Sequence, residues 1–275
     1  MRQIANWRTP RLNRWQARVV SQSMIGITTL GASGNDAEAW SELAADEVRI
    51  WAVSLLVTES ACADVKASLT AEEQQRAERY LRREIGRRFV VARAALRGIL
   101  GACLGLSPSA VPIETDSLGK PRLAAGANDG ELSFNLAHSG ELALVALTRG
   151  CEVGIDVEQI RSIDHWQEIA ENYFHPAEIA QIAASEPSHH VAAFLQCWTR
   201  KEAILKAAGV GLSHSLKSFA AGMADQSGRW TELPENGVAD GDRYWVQSLV
   251  PTAGYVAAVA TSLPRQTQLD AYANS

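Results

Sequence analysis

The segment Val153-Gly154-Ile155-Asp156-Val157-Glu158 places two carboxylates two residues apart. In a strand, residues i and i+2 point to the same face, about 6.5–7 Å apart, so the apolar residues are expected to face the core while Asp156 and Glu158 project together from the other face. Two such carboxylates repel each other, and a divalent cation relieves the repulsion. Oxygen ligands favour Mg²⁺ or Mn²⁺ over Zn²⁺. The alternative is the solvent-facing side of an amphipathic strand, where acidic residues are common.

A second set of chemically capable residues follows a helical spacing. Trp198, Glu202 and Lys206 are four residues apart and share one face of a helix predicted over residues 189–208, before Gly209 and Gly211. On that face Glu202 can act as a base and Lys206 can bind a phosphate. Spacing alone favours a simpler interpretation, in which Glu202 and Lys206 form a surface pair that contributes about 0.3–0.5 kcal/mol.

Arginine is concentrated in residues 76–97, which hold eight arginines and two glutamates in a chain whose net charge is −5. Arg76, Arg79, Arg83 and Arg87 are expected on one helix face, opposite an apolar stripe. A dense arginine face suits a phosphate-bearing ligand or an acidic partner. A solvated helix face is an equally good interpretation.

Two short polar segments complete the candidates. Gly119-Lys120-Pro121 predicts a turn that carries a cation, and His138-Ser139-Gly140 predicts a polar turn with an imidazole. A single lysine or histidine in a turn is usually structural, so neither segment identifies a site by itself.

Two long helices and several strands must position these residues. Residues 48–57 predict a buried strand, and a helix is predicted from Thr70, with Glu73 at the capping-box spacing, to Gly105. Its apolar stripe comprises Leu81, Ile85, Phe89, Ala92, Leu96, Ile99 and Cys103. Strands are predicted over residues 132–136 and 142–148, and residues 244–250 and 254–260 predict a hairpin.

This order of elements predicts an α+β fold of two similar lobes, a pseudo-dimer. Each lobe packs one long helix on a small antiparallel sheet, and the active site lies at the seam near Gly150. The expected divisions are an N-terminal extension (1–46), two lobes (47–150 and 151–262) and a polar tail (263–275). No glycine-rich dinucleotide or P-loop motif occurs, which disfavours a doubly wound nucleotide-binding fold.

Composition excludes several classes of protein. The 275 residues are 47% apolar and 21% charged, which is typical of a globular protein. No apolar run is long enough to span a membrane, and the negative net charge argues against a general nucleic-acid binder. The four cysteines are far apart without a C-x-x-C pair, so free thiols in a reducing cytoplasm are expected. Five arginines precede the first acidic residue, Asp36; this resembles a transit segment in composition, but a poorly ordered extension is favoured.

Taken in order, these motifs resemble the large, two-lobed class of 4′-phosphopantetheinyl transferases that activate surfactin synthetase (Sfp-like). The motifs are Gly119-Lys120-Pro121, Phe134-Asn135-Leu136-Ala137-His138-Ser139, Gly154-Ile155-Asp156-Val157-Glu158 and Trp198-Thr199-Arg200-Lys201-Glu202-Ala203-x-x-Lys206. The resemblance covers residues 48–262. It implies an enzyme, expected to be monomeric, that transfers phosphopantetheine from coenzyme A to a serine of an apo carrier protein and leaves adenosine 3′,5′-bisphosphate.

The resemblance also implies roles for individual residues. Asp156 and Glu158 would hold Mg²⁺ on the pyrophosphate of coenzyme A, with Glu178 at the third acidic position of the family. Glu202 would be the general base, and Lys206 would contact the phosphates during catalysis.

The remaining implied contacts concern the coenzyme. His138 would contact the phosphates, Ala137 would contribute its backbone, and Lys120, in its Gly119–Pro121 turn, would lie near the nucleotide. Arg76 and Arg88 match basic positions at the nucleotide end.

The chain departs from the family at three positions: Ala137 replaces a usual serine, Phe89 a small hydroxylated residue and Glu73 a lysine. Two other functions stay open at this point. One is a non-catalytic homologue that binds coenzyme A or a carrier protein, and the other is an unrelated Mg²⁺-dependent phosphohydrolase.

Overall fold

The computed structural model describes residues 26–27, 43, 47–127, 131–211, 215–223, 228–233 and 243–263. Within these residues the strands are β1 Gly26–Ile27, β2 Val48–Ser54, β3 Ile113–Thr115, β4 Pro121–Leu123, β5 Leu132–Ser139, β6 Leu142–Arg149, β7 Val153–Gln159, β8 Arg229–Glu232, β9 Arg243–Leu249 and β10 Tyr255–Ser262. The helices are α1 Glu59–Lys66, α2 Ala71–Glu78, α3 Arg83–Leu104, α4 Trp166–Tyr173, α5 Pro176–Ala183 and α6 His190–Ala208. Most of the predicted N-terminal extension and polar tail lies outside the described residues.

The first sheet has the strand order β1-β2-β6-β5. Strands β5 and β6 form a tight hairpin with Ser139 opposite Leu142, and β2 is antiparallel to β6. Helix α3 covers one face of this sheet, where Leu96 and Leu100 pack with Val145 and Leu147 in a buried cluster. The alternation of apolar residues therefore produces one helix on one antiparallel surface.

The second sheet has the order β7-β10-β9-β8 and is antiparallel throughout. Helix α6 packs on it through Ala203 and Ile204, which share a buried cluster with Val246 and Ala258. The elements predicted here are confirmed: α6 begins one residue later than expected, and β9 and β10 form the predicted hairpin.

The two sheets pack against each other through their remaining faces. Leu144 and Ala146 of the first sheet share a buried cluster with Ile155 and Val259 of the second. At this contact the buried side-chain oxygen Oδ1 of Asn135 accepts a hydrogen bond from the Ile155 backbone N–H at 2.9 Å. The mixed α+β class is confirmed, and strands β5 and β7 are brought side by side.

The predicted helix from Thr70 to Gly105 is wrong in one respect, because the chain breaks it into α2 and α3. The capping box of Thr70 and Glu73 is present. Helices α2 and α3 pack closely at Gly86, where any Cβ would clash with the carbonyl oxygen of Ala77. Glycine at this position therefore permits the contact. The stripe positions Leu81 and Ile85 are consequently exposed, at 104% and 42%, rather than buried.

Two of the eight arginines are structural. Arg97 is fully buried and its Nε donates to Glu73 Oε2 at 2.6 Å, while Arg93 Nε lies 3.2 Å from Glu73 Oε1. Arg97 also donates to the carbonyl oxygens of Pro108 and Val111. Buried charges are costly unless they are paired, and both guanidinium groups pair with Glu73. The four arginines of the predicted face, Arg76, Arg79, Arg83 and Arg87, are exposed.

Several elements carried no sequence prediction: α1, α4, α5, β8 and the β3–β4 hairpin. Strand β2 ends at Ser54, three residues before the predicted end. The four cysteines are free, as expected. In the described part of the chain, none of the helices combines the length and apolarity required to cross a membrane.

Gly154 allows β7 and α6 to approach closely. A Cβ at this position would overlap the backbone of Ala203 and Ala207 on α6. Side chains cannot move to relieve an overlap with backbone, so only glycine fits. The sequence leaves open whether the face of β7 that carries Asp156 and Glu158 is exposed to solvent or binds a metal. In the structure, helix α6 covers this face.

We expect Gly154→Ala to lower the free energy of unfolding by at least about 1–3 kcal/mol, the usual cost of overpacking. Gly98→Ala is the matched control, because Gly98 lies inside α3 and a Cβ added there would have no neighbouring atom within 4 Å. That substitution should stabilise the protein by up to about 1 kcal/mol through helix propensity. Chemical denaturation measures both, and an equal effect of the two substitutions would contradict the close approach.

Candidate active site

Asp156 lies on the helix-covered face of β7 and is 7% exposed. Its Oδ1 accepts a hydrogen bond from Lys206 Nζ at 2.6 Å, while its Oδ2 is buried and has no hydrogen-bond partner. The alternative of a solvent-facing strand side is wrong for this residue. A buried carboxylate with one unpartnered oxygen is expected to need a further ligand.

Three carboxylates influence one another at this place. Burial raises the pKa of Asp156 to about 6; Lys206 opposes this, and Glu158 and Glu202 raise it further. Burial likewise raises the pKa of Glu202, against the effect of Lys206 and together with that of Glu158. The oxygen Oε1 of Glu202 is also buried without a hydrogen-bond partner. The structure therefore joins residues of β7 and α6 that lie far apart in the sequence.

The prediction that three residues share one face of α6 is confirmed, and this face is less buried than the rest of the helix around it. Trp198, Glu202 and Lys206 are half-buried, whereas their neighbours from Thr199 to Lys201 and from Ala203 to Leu205 are buried. The surface-pair interpretation is wrong, because the ammonium group of Lys206 turns to Asp156.

The end of β5 supplies the next residues. Ser139 Oγ donates to Glu158 Oε2 at 2.6 Å and accepts from the Gln159 backbone N–H at 3.2 Å. The pKa of the neighbouring His138 is lowered, chiefly by desolvation of its ring and then by the positive charges of Lys206 and Arg88. His138 and Ser139 belong to strand β5 and not to the predicted turn. Both lie near the carboxylate of Glu158 on β7.

Arg88 approaches the same place from α3. It pairs with Glu84 one turn earlier and lies 4.0 Å from Glu141 in the β5–β6 turn. Glu141 follows the last residue of β5 by two positions, so Arg88 lies beside the strand end that carries His138 and Ser139.

Lys120 is joined to the helix that carries the site. Its Nζ donates to the backbone oxygen of Lys206 at 2.6 Å, in the last turn of α6. Burial lowers the pKa of Lys120 to about 8, with Glu152 opposing this shift. Cations favour the C-terminal end of a helix, where carbonyl groups lack partners. Lys120 thus connects the β3–β4 turn to α6.

The other predicted coenzyme residues occupy different positions. Gly119 has a φ of +87° in the turn between β3 and β4, and Pro121 begins β4. Ala137 is buried in the cluster between the two sheets, on the edge strand β5. The guanidinium group of Arg76 lies on α2, 5.1 Å from the centroid of the Phe89 ring.

Glu178 lies in the first turn of α5 and is 1% exposed. Its Oε2 lies 2.8 Å from Lys201 Nζ and accepts from the His175 backbone N–H, and its Oε1 accepts from the backbone N–H groups of Ala221 and Gly222. Both oxygens are therefore engaged. These contacts favour a structural role over the metal-ligand role that the resemblance implies.

Sequence reasoning missed several residues that build this site. The side chain of Asn135 joins β5 to β7 through a hydrogen bond, and Gly154 leaves the space in which the backbone of α6 packs on β7. A signal for Asn135 existed, because asparagine is depleted in strand interiors. Gly154 gave a similar signal, since glycine within a strand often marks a close backbone approach.

The donor set fits a magnesium ion. Asp156 Oδ2 is a buried oxygen without a partner, and the carboxylate of Glu158, two residues along β7, acts on the same group. Among the residues that the structure describes, no group of three or more histidine, cysteine, aspartate or glutamate side chains is placed to hold a metal ion. Mg²⁺ is commonly held by one or two carboxylates together with substrate phosphates and water, so two carboxylates without a third protein ligand are compatible with this ion.

Comparison with known proteins decides the family. Residues 152–260 match the 4′-phosphopantetheinyl transferase superfamily, and residues 57–149 match the 4′-phosphopantetheinyl transferase N-terminal family. The 4′-phosphopantetheinyl transferase HetI of Nostoc sp. is 37% identical over 171 residues, which are 62% of this chain and 72% of that relative. The chain belongs to the 4′-phosphopantetheinyl transferases.

This transferase is also similar to two relatives from Bacillus subtilis. A 4′-phosphopantetheinyl transferase is 29% identical over 62% of this chain and 73% of the relative. The 4′-phosphopantetheinyl transferase Sfp is 26% identical over 61% of this chain and 72% of its own length. The Sfp-like class that the motifs predict is thus confirmed.

We expect Lys120→Met to destabilise the transferase by about 1–3 kcal/mol, because it leaves the backbone oxygen of Lys206 without its donor. Lys66→Met is the matched control: Lys66 pairs with Glu78 on the surface, where both side chains are largely exposed. Loss of such a pair costs less than about 1 kcal/mol. Urea unfolding measures both variants, and a Lys120 variant as stable as the control would show that this hydrogen bond is unimportant.

Proposed function

We propose that this transferase moves the 4′-phosphopantetheine group of coenzyme A to a serine of an apo acyl or peptidyl carrier protein, with Mg²⁺ (or Mn²⁺) as the metal. Adenosine 3′,5′-bisphosphate is the second product. The observation that carries the proposal is the junction of β7 and α6, where Asp156, Glu158 and Glu202 meet Lys206. Family membership supplies the reaction class, and this junction supplies groups suited to it.

Asp156 and Glu158 are proposed to hold the metal, and the contacts of Glu178 favour leaving it out of the ligand set. The ion, when bound, neutralises negative charge on the pyrophosphate of coenzyme A. Ser139 supports this arrangement, because its hydrogen bond fixes one oxygen of Glu158.

Two cationic side chains and one imidazole are proposed to bind phosphate. Lys206, His138 and Arg88 reach the site from α6, β5 and α3, and the charges of Lys206 and Arg88 both act on His138. Displacement at phosphorus places negative charge on the oxygens around it, and nearby cations stabilise that charge. Arg76 and the turn of Lys120 are proposed for the nucleotide end of the coenzyme.

Glu202 is proposed as the general base. The serine hydroxyl is a poor nucleophile at its ordinary pKa and needs a base within reach. Glu202 accepts the proton as serine Oγ bonds to the phosphorus that bears pantetheine, and the bond from that phosphorus to the bridging oxygen breaks. The raised pKa of Glu202 suits a group that must hold a proton in the reaction.

The two sheet-and-helix units are proposed to form a pseudo-dimer with the site at their seam. Each unit packs one long helix, α3 or α6, on an antiparallel surface. The two family matches meet between residues 149 and 152, at the end of β6. The monomeric state remains a prediction.

A non-catalytic homologue is the second candidate. It has no use for the full set of Asp156, Glu158, Glu202 and Lys206, so the presence of all four side chains disfavours it. A phosphohydrolase of another family is disfavoured by the family matches.

Incubation with an apo acyl carrier protein, coenzyme A and Mg²⁺ tests the function. Intact mass spectrometry should show the carrier gaining one phosphopantetheine group, with adenosine 3′,5′-bisphosphate appearing in equal amount. Bisphosphate release without carrier modification would indicate hydrolysis. No reaction with a panel of carriers, despite coenzyme A binding, would favour the non-catalytic homologue.

Asp156→Asn should abolish most of the stabilisation that Mg²⁺ and coenzyme A together give to the protein. The substitution keeps the shape of the side chain but removes the charge that attracts the ion. Thermal unfolding with and without Mg²⁺ measures this. Asp64→Asn, at an exposed position of α1, is the matched control. An Mg²⁺ response of the Asp156 variant equal to that of the control would contradict the metal assignment.

Glu202→Gln should lower kcat by roughly 10²–10⁴-fold, the usual contribution of a positioned base. Coenzyme A affinity and the Mg²⁺-dependent rise in Tm should be retained, because Asp156 and Glu158 are unchanged. Pre-steady-state carrier modification and calorimetry separate the two effects. A kcat near the wild-type value would exclude Glu202 as the base, and loss of the Mg²⁺ response would assign it to the metal instead.

A further inference from the structure

A group of exposed residues at the junction of α2 and α3 has no role in the chemistry described so far. This corner patch comprises Arg79, Leu81, Arg82, Arg83 and Ile85, all of them exposed. Leu81 is 104% exposed and Ile85 is 42% exposed. Within seven residues the chain therefore presents three arginines and two aliphatic side chains to solvent.

The patch is a local positive charge in an acidic protein. The chain carries a net charge of −5, yet the two nearby glutamates are occupied: Glu78 pairs with Lys66 and Glu84 with Arg88. Among the described residues, no ion pair involves the arginines of the patch. Its charge is therefore available to a partner.

The patch borders the candidate active site. Ile85 and Arg88 are three residues apart on α3 and so lie on neighbouring positions of the helix surface. Arg88 in turn lies 4.0 Å from Glu141 and acts on His138. A macromolecule seated on the patch would reach the site without crossing the rest of the protein.

We propose that the corner patch docks the carrier protein, through an acidic surface of the carrier that also presents an apolar side chain. This inference rests on the proposed function and names the surface that the macromolecular substrate uses. Arginine is enriched at protein interfaces, and complementary charges there accelerate association.

Other occupants fit the patch less well. A nucleotide phosphate uses arginines but gives no role to two exposed aliphatic side chains. A second copy of this chain in a two-fold contact would place the three arginines against themselves. A membrane surface requires a longer amphipathic face than two aliphatic residues provide.

Substitutions at the junction of α2 and α3 are expected to leave the fold intact, so a change in kinetics can be assigned to the corner patch. Arg82 is the N-cap residue of α3 but makes no side-chain capping hydrogen bond. The exposed side chains of Leu81 and Ile85 contribute little to the core. Variants of the patch should therefore fold and keep the thermal stability of the wild-type protein.

The experiment compares two variants with two controls, using an apo acyl carrier protein that the wild-type enzyme modifies. The charge variant is Arg79→Glu with Arg82→Glu and Arg83→Glu. Its control is Arg243→Glu, an exposed residue of β9, which β10 separates from β7. The apolar variant is Leu81→Ser with Ile85→Ser. Its control is Leu106→Ser, which is 41% exposed just beyond the other end of α3.

The charge variant should raise the KM for the carrier about tenfold or more, and leave the KM for coenzyme A within about twofold. It should also flatten the decline of kcat/KM with salt, because exposed charges are screened over about 10 Å at 0.1 M. The apolar variant should raise the carrier KM without changing the salt dependence. The two controls should behave as wild type.

Three results would overturn the proposal. The first is a carrier KM within twofold of wild type in both variants. The second is a rise confined to the KM for coenzyme A, which would assign the patch to the nucleotide. The third is loss of binding to phosphatidylserine vesicles with unchanged carrier kinetics, which would assign it to a membrane. A wild-type enzyme that modifies no carrier would instead refute the proposed function, so the two failures are distinguishable.

Discussion

The contact between β7 and α6 is the constraint on which the site depends. Gly154 removes the side chain that would hold the strand and helix apart, so the backbone of α6 lies directly over β7. Asp156 then becomes buried, and Lys206 reaches its carboxylate at 2.6 Å. Without that approach Asp156 would face solvent, where its charge would be screened and its pKa would not be raised by burial.

Burial of charge at this contact has a cost that a ligand can relieve. Asp156 and Glu202 each keep one buried oxygen without a hydrogen-bond partner, and their mutual repulsion with Glu158 raises the pKa of Asp156. A protein that retains such a destabilising arrangement generally uses it for function. The structural ion pair of Glu178 and Lys201 shows the contrast, since every oxygen of Glu178 is satisfied by the protein itself.

The two units cooperate in holding the site. Asn135 and Ser139 of the first sheet bind the backbone and the carboxylate of β7, and Lys120 binds the end of α6. The phosphate-binding candidates also come from both units: His138 and Arg88 from the first, Lys206 from the second. The exposed corner between α2 and α3 places a charged surface beside this junction, so the proposed docking surface and the proposed site lie next to each other.

The sequence by itself determined the family, the α+β class, strand β7, helix α6 and the face that Glu202 and Lys206 share. These features depend on local periodicity and motif order, which a chain carries without folding. Only the tertiary structure decided that Lys206 pairs with Asp156, that Glu178 is held by Lys201, and that Arg93 and Arg97 bind Glu73. It also decided the break at Leu81, which no proline or glycine at that position signals. Each of these outcomes depends on which surfaces meet across long stretches of sequence, and local patterns do not encode such contacts.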